Sequence, residues 1–410
     1  MIRVFTFVGL LLAITISLML AQMHGALAKV GTGGAPTRLT AAGLPDMTGV
    51  TQEQIDAYPG RDPVYAPGLS GFAPIPTNYD RSTQILQSQT PASPTGPNDP
   101  IGAFRFICQP GQVNWDDPIV YPGQPNAGMH LHQWFGNTLA NGLSTYRSLR
   151  TSGESTCMGP LNRSAYWIPA MLNDQGQVVR PDYVSIYYKR LPASSPDCYT
   201  RAKACLPLPN GLRYIFGYDM KRVGEKQPEN LIFNWKCVTA DNRLRGGLVK
   251  RFDELDCPGG NILIVTMASP DCWDGNGLDS DNHRDHIIHQ IRNPWDGKTD
   301  CPSQHPYMLP QFTIGVAYRI AEGEQIKNWH LSSDQMPGMP ELSPGGSFHA
   351  DWYGAWDDKT LQTWTNYCIN QKLSCVDGQL GDGTTMRRPA GFGYVANPRL
   401  VPIPVHTPPS

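Results

Sequence analysis

The chain has 410 residues, of which 33 are Lys or Arg and 35 are Asp or Glu, so its formal net charge is −2. Charged residues make up only 17% of it, whereas 41 Gly and 38 Pro indicate many turns. This balance argues against a dedicated nucleic-acid-binding protein, which would show a basic patch, and against a collagen-like or wholly disordered chain.

The first 28 residues have the pattern of a cleavable signal peptide. Arg3 supplies the positive charge, residues 4–21 are almost wholly apolar, and Ala26-Leu27-Ala28 is a small-residue cleavage site. An uncleaved anchor is the alternative, because the apolar stretch is just long enough to span a bilayer. We expect cleavage before Lys29, giving a secreted or periplasmic protein without a membrane partner.

One large domain is predicted between two segments of low periodicity. Residues 29–100 are rich in Pro and Gly, which is typical of a leader or linker, and residues 398–410 form a similar Pro-rich tail. Residues 101–397 contain no clear internal linker. We therefore expect a single β-rich domain there.

The apolar segments of this domain are short and bounded by turn residues, as strands are. The clearest are Tyr183–Tyr188, Leu212–Phe216, Asn261–Thr266 and Phe312–Tyr318. One helix is predicted over Asp357–Asn370, because Leu361, Trp364 and Tyr367 recur at three-residue spacing. The predicted fold is mainly β, a β-sandwich or jelly-roll-like domain with long loops and few helices.

All 10 cysteines follow the predicted signal peptide, which indicates a disulfide-stabilised protein of an oxidising compartment. The chain has no Cys-x-x-Cys pair, so zinc-ribbon and thioredoxin chemistry are not expected. Two pairs separated by seven residues are predicted to close small loops. They are Cys198 with Cys205 and Cys368 with Cys375.

Histidines and acidic residues concentrate in three motifs. They are His130-Leu131-His132, the segment from Cys272 to His286, and Phe348-His349-Ala350-Asp351-Trp352. In an extended segment the two histidines of the first motif point to one face. The His-Glu-x-x-His, Gly-x-Ser-x-Gly and Walker signatures are absent from the sequence, so the common metalloprotease, α/β-hydrolase and nucleotide-binding sites are not expected.

Three interpretations of these motifs stay open. In the first, imidazoles bind one divalent metal, zinc or copper in preference to calcium, and the candidate ligands are His130, His132, His286 and His349. In the second, a metal-free acid–base site uses imidazoles near neutral pH. In the third, the side chains only tie down long loops. The candidate catalytic residues are Asp274, Asp279, His283 and Asp351.

Aromatic residues beside these motifs are candidates for binding a sugar, because aromatic rings stack on sugar faces. Trp134 follows the first motif, Trp273 begins the second, and Tyr166 belongs to a further aromatic segment. Arg213 is a candidate for pairing with an anionic sugar, with an ion pair inside the fold as the alternative.

The motifs together resemble the domain-of-unknown-function family DUF1996 of secreted fungal and bacterial proteins. The matching segments are Asp117–Gly123, His130–His132, Tyr166–Pro169, Leu208–Arg213, Cys257–Gly260, Cys272–His286, Asp300–Pro306 and Phe348–Asp351. Fungal members tend to have an acid directly before the first histidine of the long motif, where this chain has Asn282; Asp281 and Asp285 are the nearest substitutes.

Some fungal relatives are joined to carbohydrate-binding modules, so the resemblance implies a polysaccharide substrate. The expected function is a secreted polysaccharide-active enzyme that cleaves glycosidic bonds with Asp and His residues, with or without a metal. The alternatives are a non-catalytic extracellular glycan- or cell-wall-binding protein and a polysaccharide lyase.

Overall fold

The computed structural model describes residues 69, 71–72, 75, 77–227, 233–294 and 297–408. The predicted signal peptide and most of the predicted leader lie outside the described residues. None of the helices in the described ranges is long and apolar enough to cross a membrane.

The described chain is mainly β, as predicted. Its strands are β1 Ile85–Gln87, β2 Ser93–Pro94, β3 Gly102–Cys108, β4 Val113–Asn114, β5 His132–Gly136, β6 Ala165–Pro169, β7 Met171–Leu172, β8 Gln177–Val179, β9 Tyr183–Arg190, β10 Ala204–Cys205, β11 Arg213–Gly217, β12 Phe233–Val238, β13 Leu244–Val249, β14 Ile262–Ala268, β15 Cys272–Trp273, β16 Ile287–Ile288, β17 Ile291–Arg292, β18 Thr299–Asp300, β19 Tyr307–Met308, β20 Gln311–Arg319, β21 His330–Leu331, β22 His349–Tyr353, β23 Leu373–Cys375, β24 Thr384–Met386 and β25 Leu400–Pro402.

The helices are short. The α-helices of the described residues are α1 Tyr146–Thr151, α2 Pro196–Arg201 and α3 Asp358–Trp364, and 3-10 turns cover Arg81–Gln84, Met220–Arg222, Phe252–Glu254 and Ile326–Asn328. The predicted helix begins where Asp357 accepts a hydrogen bond from the Thr360 amide, and it continues past α3 as a π-helical turn over Thr365–Ile369.

Two sheets form a sandwich. The larger has the order β13-β12-β14-β20-β9-β3-β23-β2, and the smaller has the order β11-β22-β6-β5-β4. Phe312 on β20 lies between them, with its ring 5.4 Å from Trp352 and 6.2 Å from Tyr214 on the smaller sheet. Inward residues of β9 alternate with partly exposed ones, because only one face of that strand is covered.

The smaller sheet packs one face against the larger sheet, and we call the other face its outer face. The central strands β5, β6 and β22 are buried on both faces, so the outer face is covered as well. Helix α1 covers one part of it by placing Tyr146 and Leu149 in a small core with Trp134 and Trp167. This helix is short, and Thr145 stabilises its start through a capping box with Ser148. The other part of the outer face lies beneath loops, and the candidate site forms there.

The described residues contain five disulfides and no free cysteine. The predicted pairs, Cys198–Cys205 and Cys368–Cys375, are confirmed. The others are Cys108–Cys157, Cys237–Cys257 and Cys272–Cys301. The last of these closes the loop that contains the long motif.

Parts of the segments predicted as leader and tail form edge strands. β1 pairs with β24, β2 pairs with β23, and β25 pairs with β8. The end of the leader and the start of the tail are therefore built into the sheets of the domain.

Candidate functional site

Strand register brings distant histidines together on the outer face of the smaller sheet. His132 on β5 lies opposite Pro169 on β6. On the other side of β6, Asp351 of β22 lies opposite Trp167. Continuing this antiparallel register by two residues places His349 next to Pro169, across β6 from His132. Gly217 on β11 opposes His349, and a Cβ there would lie 2.8 Å from the His349 Cα, so this close approach requires glycine.

His130 completes the cluster from the loop before β5. His130 lies in a bend rather than in the strand, and its ring lies beside that of His132, with centroids 4.4 Å apart. The Nε2 atoms of His130 and His349 are 3.1 Å apart, and ligand atoms of all three histidines lie within 4.8 Å of one another. The three residues are at most 8% exposed. We call His130, His132 and His349 the three-histidine cluster.

Backbone carbonyls orient two of these imidazoles. Nδ1 of His132 lies 2.9 Å from the Asp116 carbonyl oxygen, and Nδ1 of His349 lies 2.8 Å from that of Ser347. Each Nδ1 must therefore carry the proton and donate it, because a carbonyl oxygen only accepts. The Nε2 lone pairs of both rings are left facing the cluster, as in metal-binding histidines held by outer hydrogen bonds.

Burial keeps the cluster neutral. It lowers the pKa of His132 to about 3 and that of His349 to about 4. For His130, burial and the neighbouring His132 and His349 hold the pKa well below its usual value. Neutral imidazole is the form that binds metals.

The cluster fits a metal by geometry as well as by donor chemistry. Nε2 of His132 is buried without a hydrogen-bond partner. Two nitrogens bound tetrahedrally at the usual Zn–N distance lie about 3.3 Å apart, close to the 3.1 Å found for His130 and His349. Three histidines also leave a fourth position open, which is the arrangement of catalytic rather than structural zinc.

A cavity of about 130 Å³ opens over the cluster. Its walls are formed by Asp117, Val120, Tyr121, Met129, His130, His132, Ile215, Asp219, Met220, Lys221, Asn282, Arg284, Met336, His349 and Asp351. Four segments far apart in the chain (residues 117–132, 215–221, 282–284 and 336–351) thus close around the outer face of the smaller sheet.

Two of the three carboxyl groups that line the cavity have raised pKa values. Asp351 is 2% exposed and neither of its oxygens has a hydrogen-bond partner. Burial and then the charge of Asp117 raise the pKa of Asp351 well above its usual value. Burial also raises the pKa of Asp117 to about 6, although the amides of Val120 and Ile119 and nearby His283 oppose the shift. A pair of this kind can divide the roles of acid and base.

A hydrogen-bonded chain lies beside the cavity. Asp279 accepts from Nδ1 of His283 at 2.8 Å and from Nε of Arg213 at 2.9 Å. Burial opposes the charge of Asp279, but the hydrogen bond from His283 and the charge of Arg213 lower its pKa below the usual value. Because Nδ1 of His283 donates its proton to Asp279, Nε2 is the hydrogen-bond acceptor of the neutral His283 ring. His283 also has φ +60°, which non-glycine residues seldom adopt and which is often found at functional sites.

The family model described as Domain of unknown function (DUF1996) matches residues 117–356, more than half of the chain. The chain belongs to this family. Comparison with curated proteins and with solved structures gave no significant match.

Within this DUF1996 domain some of the predicted residues lie at the cavity, some lie in the neighbouring hydrogen-bonded chain, and the rest lie elsewhere in the fold. His130, His132, His349 and Asp351 meet at the cavity. Asp279 and His283 form the neighbouring hydrogen-bonded chain, and Arg213 is the ion-pair partner of Asp279 inside the fold, the second of its two predicted alternatives.

Other predicted residues lie elsewhere. His286 is outside the three-histidine cluster, and both of its ring nitrogens are engaged, Nδ1 with the Ser280 hydroxyl and Nε2 with the Arg213 carbonyl. Asp274 accepts from the amide of Asn276 in a turn and does not line the cavity.

The predicted aromatic binding residues are buried. Trp134 and Trp273 are 0% exposed and Tyr166 is 4% exposed. Trp134 stacks on Trp167 at 4.4 Å, Trp273 donates to the Gly277 carbonyl, and the Tyr166 hydroxyl bonds that of Tyr188. These rings are part of the packing of the domain, and the structure does not bring them to the cavity.

Sequence reasoning gave no site role to Asp117, Tyr121 or Arg284, which line the cavity. Their signal was present, because Asp117 begins one family segment and Arg284 follows His283 in another. Asn282 also lines the cavity, and its Oδ1 accepts from the amides of Arg284 and Asp285, so it organises the turn. Asp281 and Asp285, the suggested substitutes, are exposed and outside the cavity wall.

Proposed function

We propose that this DUF1996 protein is a secreted metal-dependent enzyme that hydrolyses glycosidic bonds in an extracellular polysaccharide. The observation that carries the proposal is the convergence of the His130, His132 and His349 nitrogens in a buried cluster with an open side. The predicted signal peptide and the five disulfides support export to an oxidising compartment.

A bound zinc or copper ion would supply Lewis-acid chemistry and lower the pKa of water at the open position. The residues of the chain do the rest. Asp351 in its protonated form can give a proton to the leaving sugar oxygen, and Asp117, with the lower pKa of the two, can hold a proton from water. Arg284 on the same wall donates from Nη1 and Nη2 to the carbonyls of Gly217 and Tyr218, and it can orient the substrate only through its remaining N–H groups.

The polysaccharide part of the proposal rests on the family resemblance and on export. A purely glycan-binding protein has less support, because the tryptophans expected to stack on sugars are buried. A metal-free hydrolase is the second candidate, favoured by the Asp117–Asp351 pair, since two carboxyl groups with separated pKa values are enough for glycosidic hydrolysis.

Release of reducing ends from a panel of polysaccharides tests both candidates. The metal-loaded protein should be active, and a chelator or the His132→Ala substitution should abolish activity. Asp351→Asn should abolish activity while metal binding persists, and His330→Ala, which changes a histidine outside the cavity wall, is the matched control.

Activity that survives chelation but not Asp351→Asn would select the metal-free hydrolase. Products with the ultraviolet absorbance of an unsaturated sugar would indicate a lyase. Polysaccharide binding without turnover, unchanged in both variants, would overturn the proposal in favour of a binding protein.

A further inference from the structure

Three methionines line the cavity above the three-histidine cluster. They are Met129, Met220 and Met336, three of the 13 methionines in the sequence. Each comes from a different part of the chain: Met129 directly precedes His130, Met220 begins a 3-10 turn, and Met336 follows β21 by five residues. The fold therefore places three methionines in the wall of the same cavity as the three histidines.

These donors are not what a zinc or calcium site needs. Zinc is bound by thiolate, imidazole and carboxylate, and calcium by oxygen ligands. Thioether sulfur is a soft ligand that selects Cu(I), and imidazole suits copper in both oxidation states. Three imidazoles with methionines in the wall of the same cavity therefore favour copper over zinc and calcium.

The surroundings also favour an ion of low charge. The three histidines are buried, and imidazole binds a metal as a neutral ligand, so they bring no negative charge to an ion. Val120 and Ile215 add apolar walls. Since the cost of placing a charge in such surroundings rises with the charge, a monovalent ion is easier to accommodate than a divalent one.

We propose that the metal of this site is copper, and that sulfur from the methionine wall helps the three-histidine cluster hold Cu(I). The inference rests on the cluster of the proposed function but not on its hydrolytic step. It adds a metal identity, a preferred oxidation state and three residues with an assigned role.

Competition for Cu(I) against a chromophoric chelator under anaerobic conditions tests this inference on the full-length mature protein. The wild type should bind one equivalent. The triple variant Met129→Leu, Met220→Leu and Met336→Leu keeps side-chain volume nearly constant, so it should fold. We expect it to lose about tenfold or more in Cu(I) affinity, as changes around a metal commonly cause, with Zn(II) affinity nearly unchanged.

Met339→Leu is the matched control, since Met339 lies three residues beyond Met336, is 38% exposed and does not line the cavity. It should bind Cu(I) like the wild type. Equal Cu(I) affinity in the triple variant and the wild type would show that the methionines only shape the cavity, and it would overturn the inference. Binding of Zn(II) without Cu(I) would also overturn it while leaving the proposed function standing.

Failure of the proposed function gives a different pattern. Copper bound with the expected methionine dependence, but no polysaccharide cleaved, would refute the hydrolytic function and support this inference. Absence of any bound metal in the wild type, with a correctly folded protein, would refute both.

Discussion

Replacing His132 with alanine is expected to remove the response of the protein to metal and to lower the stability of the metal-free fold moderately. His132 is 1% exposed, and its Nε2 is buried without a partner in the metal-free protein. Losing its hydrogen bond to the Asp116 carbonyl costs about 1 kcal/mol, whereas removing the unpartnered nitrogen returns about 1–3 kcal/mol. The cavity that alanine leaves costs about 2–5 kcal/mol for a buried side chain of this size, so the metal-free variant should be less stable than the wild type by roughly 2–3 kcal/mol.

Bound metal stabilises the folded wild type, and it should stabilise the variant much less. At a free metal concentration 100-fold above the Kd, the folded state gains about 2.7 kcal/mol. If the loss of one ligand weakens binding about 100-fold, the gain in the variant falls to about 0.4 kcal/mol. For a domain of this size, the wild-type gain corresponds to a rise in Tm of up to about 5 °C.

Thermal unfolding with and without zinc or copper measures the difference, and His286→Ala supplies the contrast. His286 uses both nitrogens in hydrogen bonds within the fold, so its loss should lower the metal-free Tm but preserve the metal-induced rise. Equal metal responses in wild type and His132→Ala would refute the three-histidine centre. Loss of the response in His286→Ala alone would restore His286 as a ligand.

Three further predictions concern stability. Asp351→Asn should raise or preserve the metal-free Tm, because Asp351 is buried without hydrogen-bond partners; a clearly lower Tm would mean that its carboxylate has a partner. Burial raises the pKa of Asp271 to about 7, above its unfolded value, so stability should fall as the pH rises from about 4 to 7. Urea unfolding across that range should lose this slope in Asp271→Asn, and an unchanged slope would refute the assignment. Replacing Cys272 and Cys301 with serine should lower the free energy of unfolding by about 3–4 kcal/mol, from the loop they close, and a loss below about 1 kcal/mol would contradict this.

The fold was predictable where local pattern and burial agree. The short apolar segment Tyr183–Tyr188, bounded by turn residues, predicted a strand, and β9 is that strand, with one face buried. The smaller sheet is different, because β5, β6 and β22 are buried on both faces and therefore lack alternation. Such segments resemble any short apolar run, so their pairing could not be obtained from the sequence.

For the candidate site too, local sequence pattern was informative and long-range strand pairing could not be predicted. The short His-x-His spacing was enough to place His130 beside His132, and the same spacing separates His349 from Asp351. It could not show that β5 and β22 flank the same strand, since strand order depends on long-range packing. The tryptophans were predicted wrongly for a related reason. A ring that is next to a polar motif in the sequence need not face the cavity, because strand register decides which layer the ring enters. Trp134 enters the small core under α1.

The position of the histidines relative to that register bears on the proposed preference for copper. His132 and His349 are held by backbone carbonyls at the edges of two strands, so their geometry is fixed before any ion binds. His130 and the methionine wall lie outside the strands, in loops and a 3-10 turn, so strand pairing does not fix their positions. A centre with two fixed imidazoles and several donors outside the strands can accommodate the different coordination preferences of Cu(I) and Cu(II). Zn(II) needs only the histidines, so its affinity should depend on the strands and that of Cu(I) on the loops as well.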